Sequence, residues 1–366
     1  MQKYYFIIVI DLILSTIGYT YLYRNFAAAR CWPFLAGYAA LAANTVISRM
    51  LPFGTPAAIV KLSSWLGNLW IALMYYLLLL SVLHLLLFAA GRIFSLRLPH
   101  HAIAAAAVSF IVLFIAWGSW RAFTPVIRTE TVTTDKLPAG ASHRIVFVTD
   151  LHFGEILGRS YADGLAKRIR ELNPDLVLIS GDLLDEQIAY VERENTLDAL
   201  DSIKPPMGIY ACFGNHDYLD RPALWQQMLE QHNIKILRDA DALLPGGIKV
   251  TGLNDYSRSK GAEPLQRLSG ENGSYYSILL DHQPRRMDAA SAAGYDLYLA
   301  GHTHTGQLFP NRLVTRRMYK LDYGRADFGG MTAITSDGYG FWGPPVRTEM
   351  RPEIVLIELK GAKNTN

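Results

Sequence analysis

Five short blocks in the second half of the chain gather carboxylates, imidazoles and one amide. In order they are Asp150-Leu151-His152, Gly181-Asp182-Leu183-Leu184-Asp185, Gly214-Asn215-His216-Asp217, Asp281-His282-Gln283-Pro284 and Gly301-His302-Thr303-His304. Seven histidines follow residue 122, and five of them lie in these blocks. Carboxylate, imidazole and amide donors without thiolate suit divalent ions such as Mn, Fe or Zn. One carboxylate bridging two ions, with further ligands on each, makes a two-metal site with ions about 3.5–4 Å apart. Such a pair clamps the attacking and leaving oxygens of an in-line displacement at phosphorus, and it lowers the pKa of bound water so that hydroxide forms near neutral pH. The bland alternative is a set of satisfied strand-end hydrogen bonds in a domain that keeps its fold without metal.

The blocks need elements that deliver them to one edge. Short β-branched runs predict strands at Ile145–Thr149, Leu176–Ser180, Ile209–Phe213, Ile248–Gly252, Tyr276–Leu280, Leu297–Ala300, Thr332–Thr335 and Ile354–Leu359. Amphipathic stretches between them predict helices at Tyr161–Leu172, Ala189–Ile203, Pro222–His232 and Pro264–Leu268. That alternation is the pattern of an α/β domain. The five blocks each follow a predicted strand, and α/β sheets bind ligands beyond the carboxyl ends of their strands. Thr129–Thr134 and Pro138–Ser142 read as linker, and Leu308–Gly330 as a long loop that could cap the site.

The first third of the chain is different. Residues 1–122 carry eight Lys/Arg and one acid, Asp11, for a net +7, whereas the remainder has a net −4. The basic surplus therefore sits beside apolar runs, which argues against a nucleic-acid partner. Tyr4–Tyr23, Cys31–Ser48, Leu62–Gly91 and Ala102–Trp120 are almost free of charge. About 20 apolar residues cross a bilayer, so four transmembrane helices are expected. Tyr4, Tyr5, Tyr21, Tyr23, Trp32, Trp65, Trp117 and Trp120 cluster at the run ends as an interfacial belt. The first run has no small-residue cleavage site before the next apolar runs, which disfavours a signal peptide. Asp11 and His84 are ionisable residues at mid-span depth, more simply interhelical hydrogen bonds than a relay. Cys31 and Cys212 fall in different halves, so a structural disulfide is not expected.

The ordered series Asp-x-His, Gly-Asp-x-x-Asp, Gly-Asn-His-Asp, His and Gly-His-x-His resembles the calcineurin-like metallophosphoesterase superfamily over residues 144–361. The resemblance implies a β-sandwich core flanked by helices and two divalent ions, manganese foremost, with iron, zinc or magnesium as others. Asp150, His152 and His304 would bind one ion, Asp182 would bridge, and Asn215, His282 and His302 would bind the second. His216 would serve the phosphoryl or leaving-group oxygen, with Asp185 orienting it. Asp217 reads as a loop cap, and Arg285 and Arg286 as contacts for a second phosphate. Thr305 replaces a glycine usual after the last histidine, and Asp281 replaces a small residue before His282.

The Ala300–Gln307 block and the Gly338–Gly340 and Gly343–Arg347 stretches are similar to a membrane-associated bacterial branch that includes UDP-diacylglucosamine pyrophosphatases. The resulting expectation has four parts: a transmembrane region at 1–122, a linker at 123–143, a metallophosphoesterase domain at 144–361 and a tail at 362–366. It would be a multi-pass protein of a bacterial inner or plasma membrane, with a cytoplasmic catalytic domain and a membrane lipid as substrate. The alternatives are a phospholipid or polyprenyl phosphate phosphatase, a tethered phosphodiesterase for soluble cyclic nucleotides, or a membrane assembly protein whose soluble domain only binds.

Overall fold

The structure is a computed structural model that describes residues 2–362 except Phe53, with side chains from residue 8 onward. The side chains of Tyr4 and Tyr5 and residues 363–366 of the expected tail at 362–366 lie outside the described residues. The chain divides into two units.

One unit comprises residues 1–121 and 343–348. Its helices are α1 (Gln2–Asn25), α2 (Trp32–Met50), α3 (Ala57–Ile93) and α4 (His100–Ala122). They overlap the four apolar runs, but among the described residues only α3 and α4 are long and apolar enough to cross a membrane. The expectation of four spans is thus reduced to two candidates. Tyr, Thr, Asp11 and Arg24 dilute α1, while Asn44, Thr45, Ser48 and Arg49 dilute α2. At a rise of 1.5 Å per residue, the 37 residues of α3 extend about 55 Å, well beyond a hydrocarbon core of about 30 Å. Segment 343–348 packs onto this unit's helices. The Arg347 amide donates to Gly118 O at 2.9 Å, and Ser119 Oγ donates to Pro345 O at 2.8 Å. Gly118 is required there, because a Cβ would lie 2.7 Å from the side chains of Val346 and Thr348.

The second unit, 122–342 with 349 onward, holds twelve strands. They are β1 (Val126–Thr134), β2 (Ser142–Val148), β3 (Leu176–Ser180), β4 (Ile209–Cys212), β5 (Ile234–Ile236), β6 (Ala240–Leu244), β7 (Ile248–Gly252), β8 (Tyr276–Leu280), β9 (Leu297–Ala300), β10 (Gly324–Phe328), β11 (Met331–Thr335) and β12 (Glu353–Gly361). They form two six-stranded mixed sheets, β1-β12-β2-β3-β4-β5 and β10-β11-β9-β8-β7-β6. Period-two alternation decides which side chains meet between the sheets. Ile145 and Phe147 of β2 face Ile248, Val250, Ile278 and Leu299 of the other sheet in one apolar cluster. Val146 and Val148 point the other way, into a cluster with helical residues. Because both faces are covered, the central strands are apolar throughout.

The helices of this unit are α5 (Arg159–Glu171), α6 (Ile188–Arg193), α7 (Pro222–Gln231), α8 (Glu263–Leu268), α9 (Met287–Ala292) and α10 (Arg312–Met318). In α5, Ala162, Leu165, Ala166 and Ile169 are buried at i, i+3, i+4 and i+7, the stripe that docks a surface helix. The structure corrects the sequence in several places. The expected helix Ala189–Ile203 is broken at Asn195, whose left-handed backbone separates α6 from a 3-10 turn at Thr196–Ser202, and β5, β6 and α9 are not among the expected elements. The expected linker contains β1, an edge strand whose alternating Thr and charged residues carry no apolar signal and whose ladder comes from distant β12. The expected cap loop contains α10 and β10.

Candidate metal centre

The first parallel strands of both sheets end at one place. After β2, the amides of Asp150 and His152 donate to Gly181 O and Asp182 O at 3.0 Å each, continuing the sheet ladder into the loops. Gly301 N likewise donates to His282 O at 2.9 Å. These turns are tight enough that Asp150, His152, Asp182, His302 and His304 all take positive φ, between 45° and 71°. Left-handed backbone at non-glycine residues costs on the order of 1–3 kcal/mol each and concentrates at functional sites. Two glycines make room for the carboxylates. A Cβ on Gly214 would lie 2.1 Å from Asp182 Oδ1, and one on Gly301 2.2 Å from Asp150 Oδ2.

The structure brings the expected ligands together. Asp150, His152 and His304 place donor atoms within 4.8 Å of one another, as do Asp182, His282 and His302. His304 Nε2 is 3.3 Å from Asp150 Oδ1, and His282 Nε2 is 3.2 Å from Asp182 Oδ2. His152 Nε2 lies 3.9 Å from Asp182 Oδ2, so the Asp182 carboxylate faces both groups. His302 N donates to Asp150 Oδ2 at 3.0 Å and His216 N to Asp182 Oδ1 at 2.8 Å. Asn215 Oδ1 is buried with no hydrogen-bond partner among the described residues. A buried acceptor left in that state is costly, and a cation is the partner its neighbours equip it for. This donor set fits two hard-to-borderline divalent ions.

The electrostatics point the same way. Burial alone would raise the Asp150 carboxyl, yet His304, His282 and His152 hold it well below the carboxylate range. Asp182 is lowered in the same way by His282, His216 and His152 against the effect of burial. Burial would lower His282, but Asp182 and Asp150 drive it well above its usual value. His302 is pushed down to about 4 by burial and by His282, and so is a neutral ligand at physiological pH.

His216 Nδ1 is held at 2.6 Å by the backbone carbonyl of Asp185. The Asp185 carboxylate is 3.8 Å from His216 Nδ1 but 3.4 Å from His152 Nδ1. The peptide carbonyl of Asp185 is thus the closer partner of His216, and its carboxylate lies nearer to His152. Asp217 is a clamp: it accepts from the amides of Leu183, Leu184 and Gly214 and from Trp225 Nε1, at 2.8–3.1 Å. It thereby fixes the second block to the third.

The two arginines part company. Arg286 is 4% exposed and forks onto Asp281, at 2.6 and 3.0 Å, with further bonds to Ser259 O and Asn254 O. It is not available to a substrate, and Asp281 is there to pair with it. Arg285 is exposed and lies between Tyr256 and Tyr319, 5.5 and 4.7 Å from their ring centroids. Thr305, at φ 51°, donates its hydroxyl to Asp337. The sequence reading missed Tyr319, whose ring is 6.2 Å from that of His302, and Trp342, 6.0 Å from that of His216. Single aromatic residues carry no local signal of this kind, although Trp342 lies between the two glycine-rich stretches noted above.

Two facing mixed sheets that converge paired carboxylate–imidazole clusters on one edge define a metallophosphoesterase type of domain. Residues 143–306 match the family described as Calcineurin-like phosphoesterase, and the α/β domain belongs to that superfamily, whose members use a dimetal centre. An uncharacterised metallophosphoesterase of Campylobacter jejuni is 34% identical over 246 residues, which is 66% of this chain and 64% of that one. A transmembrane protein with metallophosphoesterase domain from Danio rerio is 31% identical over 65% of this chain and 58% of its own. An uncharacterised metallophosphoesterase of Aquifex aeolicus is 27% identical over 69% of this chain and 98% of its own length. The chain thus spans just under two thirds of the first of these relatives.

Proposed function

We propose that the protein is a membrane-anchored, metal-dependent phosphoesterase that hydrolyses a pyrophosphate or phosphate bond in a lipid head group. The observation that carries the reaction class is the seven-residue donor cluster, with its buried, unbonded Asn215 Oδ1. Asp150, His152 and His304 would hold one ion, Asn215, His282 and His302 the other, and Asp182 both. When bound, two such ions supply Lewis acidity and a nucleophile at neutral pH. The chain's own groups do the rest. The Asp185 carbonyl accepts a hydrogen bond from His216 Nδ1 and so fixes the ring with Nε2 free to serve a leaving oxygen. Arg285, steadied by two tyrosines, would meet a second phosphate, a role that suits a pyrophosphate substrate.

The lipid reading is supported by α10, which follows the last block closely. Leu313, Val314 and Met318 on it, and Phe309 just before it, are each more than half exposed, and Arg316 and Arg317 are on the same helix. The two candidate spans and the Danio rerio relative, a transmembrane protein by its description, support membrane anchoring. A UDP-diacylglucosamine-like glycolipid nucleotide in a bacterial inner membrane is the substrate we favour, ahead of phosphatidic acid or polyprenyl pyrophosphate. The test is product release by full-length protein in detergent with Mn²⁺, over these lipids and a soluble aryl diester, with Asp182→Asn as blank. Metal-dependent turnover of a lipid above that of the soluble ester is expected. Turnover of the soluble ester alone would reduce the helices to a tether.

A further inference from the structure

The helical unit contains a cleft that the phosphoesterase reading does not use. It has a volume of about 580 Å³ and lies between α1, α3 and the start of α4. Its polar wall is a chain of three side chains from three helices. Tyr21 Oη meets His84 Nδ1 at 3.0 Å, and His84 Nε2 meets His100 Nδ1 at 3.1 Å. His84, expected from sequence to lack a relay, therefore has a partner on each side. The apolar lining includes Leu85 and Phe88, the latter with its ring 5.3 Å from that of His100.

Arg24 stands at the rim, in the last turn of α1. It is exposed, and among the described residues it forms no hydrogen bond or ion pair. Residues 1–121 contain one acid, Asp11, thirteen residues back along the same helix or about 20 Å by helical rise. Nothing within the cleft neutralises the guanidinium. His100 opens α4, about 30 Å by helical rise from Arg121, where the chain leaves the unit. The cleft is accordingly at the other end of a membrane-length helix.

A cation and imidazole N–H donors at the rim, with an apolar wall beneath, match a phosphodiester head group and an acyl chain. No acid is present to receive an ammonium group, which disfavours a zwitterionic head. We propose that this cleft binds one anionic phospholipid, its phosphate on Arg24 and His100 and its chain along Leu85 and Phe88. This site is independent of the metal centre and of the reaction proposed for it.

The test is native mass spectrometry of full-length protein in detergent, titrated with dioleoylphosphatidylglycerol or dioleoylphosphatidylcholine. The phosphatidylglycerol adduct should form at concentrations at least tenfold lower. Arg24→Ala and His100→Ala should each weaken it about tenfold or more, and Arg24→Lys should restore it, which separates loss of charge from loss of fold. Asp182→Asn should abolish hydrolysis and leave the adduct unchanged, so the two proposals fail separately. Equal retention of both lipids, or wild-type retention by Arg24→Ala, overturns this one.

Discussion

At the scale of single residues, the metal edge separates side chains that touch the reacting centre from those that hold it. His216→Ala is expected to keep both ions and lose turnover by about 10²-fold or more, whereas Asp182→Ala should lose metal as well. Elemental analysis beside a rate assay distinguishes them, and equal metal loss would dissolve the assignment. Arg285 and Arg286 are adjacent in sequence but should behave oppositely. Arg286→Ala leaves the buried Asp281 carboxylate with the Tyr298 hydroxyl but no cation, a loss of about 3–5 kcal/mol of stability, visible in a denaturant melt. Arg285→Ala should leave the melt unchanged and raise KM for a pyrophosphate substrate. The histidines also set a pH sign. A raised imidazole pKa such as that of His282 stabilises the metal-free fold below about pH 6.5, and this contribution disappears as pH climbs through the raised value. Metal binding needs the neutral ring, so it strengthens in the same direction. Thermal melts should therefore show metal-free stability declining toward alkaline pH while the gain from added Mn²⁺ grows.

At the scale of elements, strand ends act as brackets whose strain is held by neighbouring loops. Gly214→Ala would drive a Cβ into Asp182, and a loss of metal without loss of secondary structure is expected from metal analysis with circular dichroism. Much of this was legible in the sequence. β3, β7, β8 and β9 fall on the predicted residues: each is a short run buried on both faces, and β3, β8 and β9 are each followed by a block with its own spacing. What escaped was set by tertiary partners. β1 has no apolar periodicity and exists by pairing with β12, more than two hundred residues away. Arg286 could not be told from Arg285 without seeing Asp281 beneath it, and the role of Asp185 depended on which of its groups reaches His216. For α10, replacing Leu313, Val314 and Met318 together with Ser should reduce turnover of a lipid substrate and spare that of a soluble ester. Equal loss on both would assign the helix to the fold rather than to lipid.

At the scale of the whole molecule, the helical unit is expected to carry the protein into membranes. Carbonate washing should leave it in the pellet, and its release would remove the spanning reading of α3 and α4. The path of the chain has a further effect. It leaves the helical unit after Arg121, returns for residues 343–348, and leaves again. The two units are therefore threaded like a stitch that passes twice through the same cloth. A protease cut near Thr124 should leave two fragments that still travel together on a sizing column in detergent. An expression clone starting at residue 122 would strip the partners from Val346, Arg347 and Thr348. Residues 343–348 would then lack the helices they pack on, and a lower melting temperature than that of the full chain is the expected result.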